Sequence, residues 1–306
     1  VSDRPATVDS PVAGGLLYGL AAYGLWGVFP AFFSLLAPAG APEILAHRVV
    51  WTVVLMLMVL TVIGRLSDLC AITGRSWLLL VCASALISTN WLIYIVAVNS
   101  GRVADAALGY FITPLVSVVL GVALFAERLN GFQVVAVALA TAAVVLLSTG
   151  GGGLPWIGIG LALSFGLYGA VKKMVRIDPR VSVTVETAIA APAAAVYLVV
   201  LQLNGDSDFL DHGPSHAMLM LLCGPVTAIP LLCFAAAAQR LPLVTLGVLQ
   251  YLTPAVQLVW AVLVGREPMP PARWLGFGLI WIALAIFTTD TLSRAHRRRT
   301  GTLQAP

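Results

Sequence analysis

Charged side chains are scarce in this sequence. Asp, Glu, Lys and Arg make up 10% of its 306 residues, against about 25% in a water-soluble domain, whose surface must be wet. A chain with so little charge and a mean hydropathy of +0.98 cannot coat a globule of its size with polar groups. Metal-ligand patterns are missing too. Cys70, Cys82, Cys223 and Cys233 lie in or beside apolar runs without ligand spacing, and read as reduced thiols acting as small hydrophobes. HExxH, GxSxG and paired aspartate-rich motifs do not occur, and no connection is long enough to form a polar catalytic loop. The glycine run at 150–153 is not followed by Gly-Lys-Ser/Thr, which removes a phosphate-binding loop and a self-contained ATP-driven pump. No segment resembles a selectivity filter. No cofactor and no metal are expected, and no small-residue cleavage site marks a removable leader.

What the chain has instead is repeated apolar runs of membrane-spanning length, about 20 residues each. They are continuous rather than alternating, so helices and not barrel strands are expected. Ten spans follow: 14–36, 43–63, 77–98, 103–125, 130–148, 154–171, 182–203, 215–238, 242–264 and 271–289. Connections are short except for the polar segments 64–76 and 204–214. With the N terminus inside, thirteen basic residues fall on the cytoplasmic side and three (Arg102, Arg266, Arg273) on the other, with Arg48 inside a helix. That asymmetry places both termini in the cytoplasm. The tail "RAHRRR" at 294–299 follows the last span directly and reads as an anchor to anionic membrane lipid rather than a nucleic-acid patch.

One pattern occurs twice. "GYFITPLVSVVLGVALFAER" (109–128) is echoed by "QYLTPAVQLVWAVLVGREP" (250–268), with Thr113-Pro114 and Glu127 matching Thr253-Pro254 and Glu267 at the same spacing of 13 from Pro to Glu. The echo extends without gaps over 90–128 and 230–268, pairs "GLWG" (24–27) with "GLYG" (166–169), and pairs Glu43 with Glu186. The chain therefore divides into a first half at 11–149, a Gly-rich link at 150–153, a second half at 154–291 and a basic tail at 292–306. Five helices is an odd number, so the second half enters the membrane upside down. Inverted repeats are a recurrent construction of secondary transporters, with the site near the midplane between the halves.

The stretches "AYGLWGVFPAFF" (22–33), "EILAHRVVW" (43–51), "NWLIYIVAVNSGRVADAALGYFITPLVSVVLGVALFAERL" (90–129), "LPWIGIGLALSFGLYGAVKK" (154–173), "GPVTAIPLL" (224–232) and "LGVLQYLTPAVQLVWAVLVGREP" (246–268) together resemble the EamA-type drug/metabolite transporter superfamily, most closely its RarD group. The resemblance covers about 11–290. It implies ten helices, a cavity between two five-helix halves, and permease activity exporting small metabolites or drug-like molecules across the bacterial inner membrane. The alternative class is an intramembrane enzyme or a sensory membrane protein with a small amphipathic ligand.

Ionisable and polar groups inside apolar helices are the candidate site residues, and an ionisable one costs at least about 2.5 kcal/mol at mid-membrane. Arg48 lies within the second span and is a candidate charge contact for an anionic or zwitterionic small-molecule substrate. Trp26, Asn90, Tyr94, Tyr110, Tyr168 and Gln250 supply aromatic and polar groups from both halves, a mixture suited to a small amphipathic ligand. His47 and Glu186 are candidates for proton coupling, exchange for a counter-substrate being the alternative. Glu186 has no basic neighbour one turn away, so its partner must come from another helix. Lys172 and Lys173 are expected to mark the cytoplasmic interface. Pro114 and Pro254 are candidate helix bends, with the Thr113 and Thr253 hydroxyls expected in the same relation to the carbonyls the prolines free.

Overall fold

In the computed structural model, residues 11–100, 102–149 and 156–264 are described, together with parts of 271–290. The described residues form helices joined by short turns. The first half contains α1 (Pro11–Gly27), α2 (Phe29–Ser34), α3 (Ala41–Val62), α4 (Gly74–Asn99), α5 (Val103–Phe125) and α6 (Gly131–Thr149). The second contains α7 (Trp156–Met174), α8 (Pro179–Asn204), α9 (Gly213–Arg240), α10 (Leu243–Leu249) and α11 (Leu252–Leu263). Five stretches are long and apolar enough to cross a membrane: Val12–Ser34, Ala41–Val62, Gly74–Ala97, Pro179–Asn204 and Gly213–Arg240. Helical residues recur within 271–290, the region expected to hold the last span. The Gly-rich link, Glu267 and the basic tail lie outside the described residues.

Local chemistry explains the ends. Asp178 caps α8, its carboxylate accepting from the Arg180 amide at 2.9 Å, and Pro179 follows in the first turn, where a missing N–H costs nothing. Gly205, at φ +77°, closes the same helix in the left-handed region that glycine enters freely. Hydrogen bonds from Arg180, and the charges of Arg180 and Arg65 (2.7 Å), hold the Asp178 carboxyl down at about 2 despite its partial burial.

Two of the expected spans are interrupted by a tightened turn, in which i→i+3 hydrogen bonds replace the regular ladder. The first divides at Val28 and the ninth at Gln250–Tyr251. Pro30 lacks the N–H that would serve the Trp26 carbonyl; the Gln257 side-chain amide, from the other half of the chain, donates to it at 3.4 Å. Pro254 likewise cannot serve the Gln250 carbonyl, which takes the Thr253 amide at 3.1 Å instead. The threonine expectation needs correcting. Thr113 donates to Gly109 O within α5 (2.8 Å), one residue before the carbonyl that Pro114 frees, whereas Thr253 reaches across to Tyr23 O in α1 (2.8 Å). The repeat partners therefore do different work: α5 runs unbroken through Pro114, and its counterpart is split.

Packing interleaves the two halves. The main contacts join α5 with α7, α3 with α8, α1 with α9, α3 with α9 and α4 with α7, each pairing one helix from either half. Under exchange of the halves, α1–α9 maps to α7–α4, α3–α9 to α8–α4, α5–α7 to the contacts of α10 and α11 with α1, and α3–α8 to itself. Glycine permits the closest approaches. A Cβ on Gly109 would stand 2.8 Å from Gly158 O, and one on Gly224 2.7 Å from Trp51 O, which fits the use of small residues where membrane helices meet.

Glu127 shows how an acidic residue is used at a helix end. Ala126, at φ 51°, turns the chain after α5. The Glu127 carboxylate then accepts the Leu243 and Val244 amides at the start of α10 (2.9 and 3.0 Å), with the Lys173 ammonium 3.4 Å away. Negative charge at a helix N terminus satisfies otherwise orphaned donors.

Candidate functional site

A polar and aromatic cavity lies between the two halves. Trp26 and Phe29 reach it from the break between α1 and α2, Arg48 from α3, and Asn90, Trp91 and Tyr94 from α4. Tyr110 comes from α5 and Phe165 from α7, while Gln250, Thr253 and Gln257 line it from the α10–α11 break onward. The lined space totals about 440 Å³ with its openings, but only about 30 Å³ admits the centre of a water molecule. The second figure governs what fits: about two waters. A metabolite enters only if the lining helices separate, and two of them are already interrupted beside the cavity.

Arg48 dominates the chemistry. Its side chain is 2% exposed, and its Nε donates to the Thr227 hydroxyl at 3.1 Å. The guanidinium carbon stands 4.3 Å from the Trp91 ring centre, 5.2 Å from Phe33 and 5.5 Å from Phe29. Such cation–π contacts contribute about 0.5–2 kcal/mol each. Among the described residues no carboxylate lies within ion-pair distance of it, and Nη2 is buried without a hydrogen-bond partner. Glu43, five residues earlier, is engaged elsewhere: it accepts the Ser207 hydroxyl (3.1 Å) and the Asp208 amide (3.0 Å). Arginine stays protonated under ordinary conditions, so the cavity holds a full positive charge with an open donor.

Tyr94 places a second buried polar atom without a partner, its hydroxyl, in the same cavity, and its ring lies 5.5 Å from that of Tyr110. Asn90 is held in place by donating to Leu161 O (3.1 Å) and the Ser164 hydroxyl (3.0 Å). Trp26 stands edge-on to Phe165 (5.4 Å) and Tyr23 (5.7 Å), which fixes its ring as part of the wall.

Six of the residues singled out from sequence therefore share this cavity: Trp26, Arg48, Asn90, Tyr94, Tyr110 and Gln250. Tyr168 does not line it. Its ring stacks on Phe234 (5.6 Å), and its hydroxyl donates to Glu186 at 3.1 Å. Glu186 belongs to a separate buried network, in which Lys172 donates to it at 2.5 Å and to Ser182 at 2.6 Å. The expectation for Lys172 is thus corrected: it is 2% exposed and paired inside, not an interfacial charge. Lys173, about 100° round the helix, is partly exposed and donates to Leu241 O at 3.0 Å. His47 lies outside the cavity wall. Its Nδ1 accepts from Trp51 Nε1 (2.9 Å), its ring stacks on Phe209 (4.7 Å), and its Nε2, 4.0 Å from Glu43, has no hydrogen-bond partner.

Gln257, Thr253, Trp91, Phe29, Tyr23 and Phe165 also line the cavity, although the sequence did not mark them as lining residues. A signal existed for the first two, since Gln250, Thr253 and Gln257 follow the i, i+3, i+7 spacing of one helical face. Trp91 and Phe29 look like any apolar core residue until the fold sets Arg48 against them.

The model of the EamA-like transporter family matches residues 13–149 and again 153–289. Protein RarD of Streptomyces exfoliatus is 47% identical over 288 residues, covering 93% of this chain and 91% of that one. An uncharacterized transporter of Vibrio cholerae is 39% identical, covering 93% and 95%. Protein RarD of Escherichia coli is also 39% identical, covering 92% and 96%. A protein of known crystal structure shares the fold at a TM-score of 0.69 and 18% identity, over 90% of this chain and 96% of that one. With apolar helices of spanning length and a family model that matches once in each half and together covers almost all of its length, the chain is a multi-pass membrane protein and belongs to the EamA-like transporter family.

Proposed function

We propose that this protein is a secondary carrier with ten membrane-spanning helices in two inverted halves and both termini cytoplasmic. It moves small metabolites or drug-like molecules outward across the bacterial inner membrane by alternating access. The observation that carries this reading is a polar and aromatic cavity between the halves, lined from both and flanked by two interrupted helices. Contacts that map onto one another when the halves are exchanged support the inverted arrangement, and the family model matching once in each half supports the duplication. A tightened turn within a helix often marks a functional hinge, and irregular helices around a central site recur in such carriers. The transporter names of the relatives support the same class.

Arg48 is the charge contact for substrate, and Trp26, Asn90, Tyr94, Tyr110 and Gln250 form the surrounding wall. Glu186 is the coupling residue, with Lys172 as its counter-ion. A proton on the Glu186 carboxyl removes the attraction for the Lys172 ammonium, leaving Ser182 as that group's remaining partner, and so loosens α7 from α8 on one side of the cavity. His47, at the opposite end of α3, is the second candidate for proton uptake through its unpartnered Nε2. Pro254, beside the break in the ninth span, is the bend that moves; Pro114, in a continuous helix, is a bend of the scaffold. The basic tail at 294–299 holds the last helix against anionic lipid.

Reconstitution in liposomes tests the class. Saturable flux of a small solute, faster with a pH gradient, is the expected result. Chemical conversion without flux would favour an enzyme, and flux without saturation a channel. In the same vesicles Glu186→Gln should flatten the pH profile, and an unchanged profile would remove Glu186 from coupling. Pro254→Ala should change turnover while leaving the protein folded.

A further inference from the structure

The cavity wall is unbalanced in charge. It holds one arginine and, among its described lining residues, no aspartate or glutamate. A buried charge without a counter-ion is destabilising unless something supplies the opposite sign, and here Arg48 Nη2 and the Tyr94 hydroxyl are both buried without partners. Two orphaned donors facing the same space match the oxygens of one carboxylate. A guanidinium presents its N–H groups as a planar fork, the geometry that receives such a group. The rest of the lining is rich in aromatic rings, Trp26, Tyr110 and Phe165 among them. Asn90, Gln250, Thr253 and Gln257 are neutral polar groups in the same lining.

This wall discriminates among ligand charges. A cation meets the field of Arg48, and the nearest aromatic faces, those of Trp91, Phe33 and Phe29, already hold the guanidinium. An α-amino acid that sets its carboxylate on Arg48 brings its ammonium to within one carbon of the same site, where no lining carboxylate receives it. A neutral ligand leaves the arginine uncompensated. From this, and resting on the carrier reading above, we infer that the cavity takes a monoanionic organic acid: a single carboxylate on Arg48 and Tyr94, with a flat apolar body against the aromatic wall and no amino group. Zwitterionic amino acids of the same size are selected against.

Four molecules sharing one body test this: phenylacetate, phenylacetamide, phenethylamine and phenylalanine. Binding to the purified protein in detergent is read by intrinsic tryptophan fluorescence, since Trp26 and Trp91 stand in the wall, and flux is read separately in liposomes. The expected result is that phenylacetate binds at least tenfold more tightly than each of the other three, and that Arg48→Gln removes the preference. Tyr94→Phe should weaken phenylacetate alone, by about tenfold to a hundredfold, the size of one hydrogen bond to a charged group. The Tyr94 variant keeps the ring and its packing, so it remains informative if Arg48→Gln fails to fold. Equal or tighter binding of the amide, the amine or the amino acid overturns the proposal, as does an unchanged preference in either variant. No binding by any of the four overturns it too. Flux of the amine or amide without flux of the acid overturns the charge assignment and leaves the carrier reading standing. Selective binding of the acid without flux of any member overturns the carrier reading and leaves the charge assignment standing.

Discussion

Lys172 and Glu186 form a buried ion pair, 2% and 3% exposed, at 2.5 Å. Removing one member strands the other. The Ser182 and Tyr168 hydroxyls that complete the network can soften an isolated charge but cannot neutralise it. Breaking a buried pair from one side typically costs about 3–5 kcal/mol, whereas replacing both members by uncharged groups of similar shape is often close to neutral. Glu186→Gln and Lys172→Met preserve volume, so each single change is expected to destabilise by about 3–5 kcal/mol, and the double change by no more than about 2 kcal/mol. The resulting coupling, several kcal/mol, is far outside what independent sites show. The assay is a thermal-unfolding double-mutant cycle on purified protein in detergent, followed by the loss of monodisperse protein with temperature. Both single variants should melt well below the parent and the double between them and the parent. Single effects that simply add would refute the pair as a closed electrostatic unit, and with it the argument that protonating Glu186 loosens α7 from α8.

Three further predictions rest on separate contacts. Glu127→Gln keeps the shape but loses the charge that meets the Leu243 and Val244 amides and Lys173; a loss of about 1–2 kcal/mol in melting experiments is expected, and no loss would mean the cap is idle. Gly224→Val places a Cβ 2.7 Å from Trp51 O, so a cost of about 1–3 kcal/mol or more from overpacking is expected, while a neutral effect would contradict the close approach of α3 and α9. Asp178→Asn addresses pH. Because the Asp178 carboxyl is held down at about 2, below the usual value near 3.9, its stabilisation is complete above about pH 4 and fades as pH falls towards 2; the melting difference between parent and variant should therefore be constant from pH 8 to 5 and shrink only below that range. A difference that shrinks between pH 7 and 6 would point to another group.

Much of the fold is legible in the chain itself, and the exceptions have physical causes. Helices α3, α4, α5 and α9 follow the expected spans within a few residues, because continuous apolar runs leave backbone groups no partner but their own helix. The breaks at Val28 and Gln250–Tyr251 are harder to see. Pro30 and Pro254 announce a lost hydrogen bond, yet Pro114 announces the same in α5, which runs on; the difference lies in cross-half partners, Gln257 on Trp26 O and Thr253 on Tyr23 O. Cavity residues emerge where the repeat points to them, as with Tyr110 and Gln250. Tyr168, the repeat counterpart of Trp26, escapes this logic because pairing in sequence does not make environments equal: one ring faces the cavity and the other stacks on Phe234 above Glu186. Lys172 and Lys173 look alike at the end of a span, but neighbours on a helix point about 100° apart, and only the packing of α8 decides which is buried.

Access to the cavity from alternate sides of the membrane is the central claim, and sided labelling at Gln250 tests it whatever the substrate is. Gln250 is 3% exposed and lines the cavity at the break between α10 and α11. Gln250→Cys would be placed in a background with Cys70, Cys82, Cys223 and Cys233 replaced by Ala, and treated with a membrane-impermeant maleimide in right-side-out and in inside-out vesicles. Alternating access predicts that the introduced thiol is modified from both sides, slowly, while the vesicles remain impermeable to the reagent. Modification from one side only, or leakage of reagent through the protein, would contradict it.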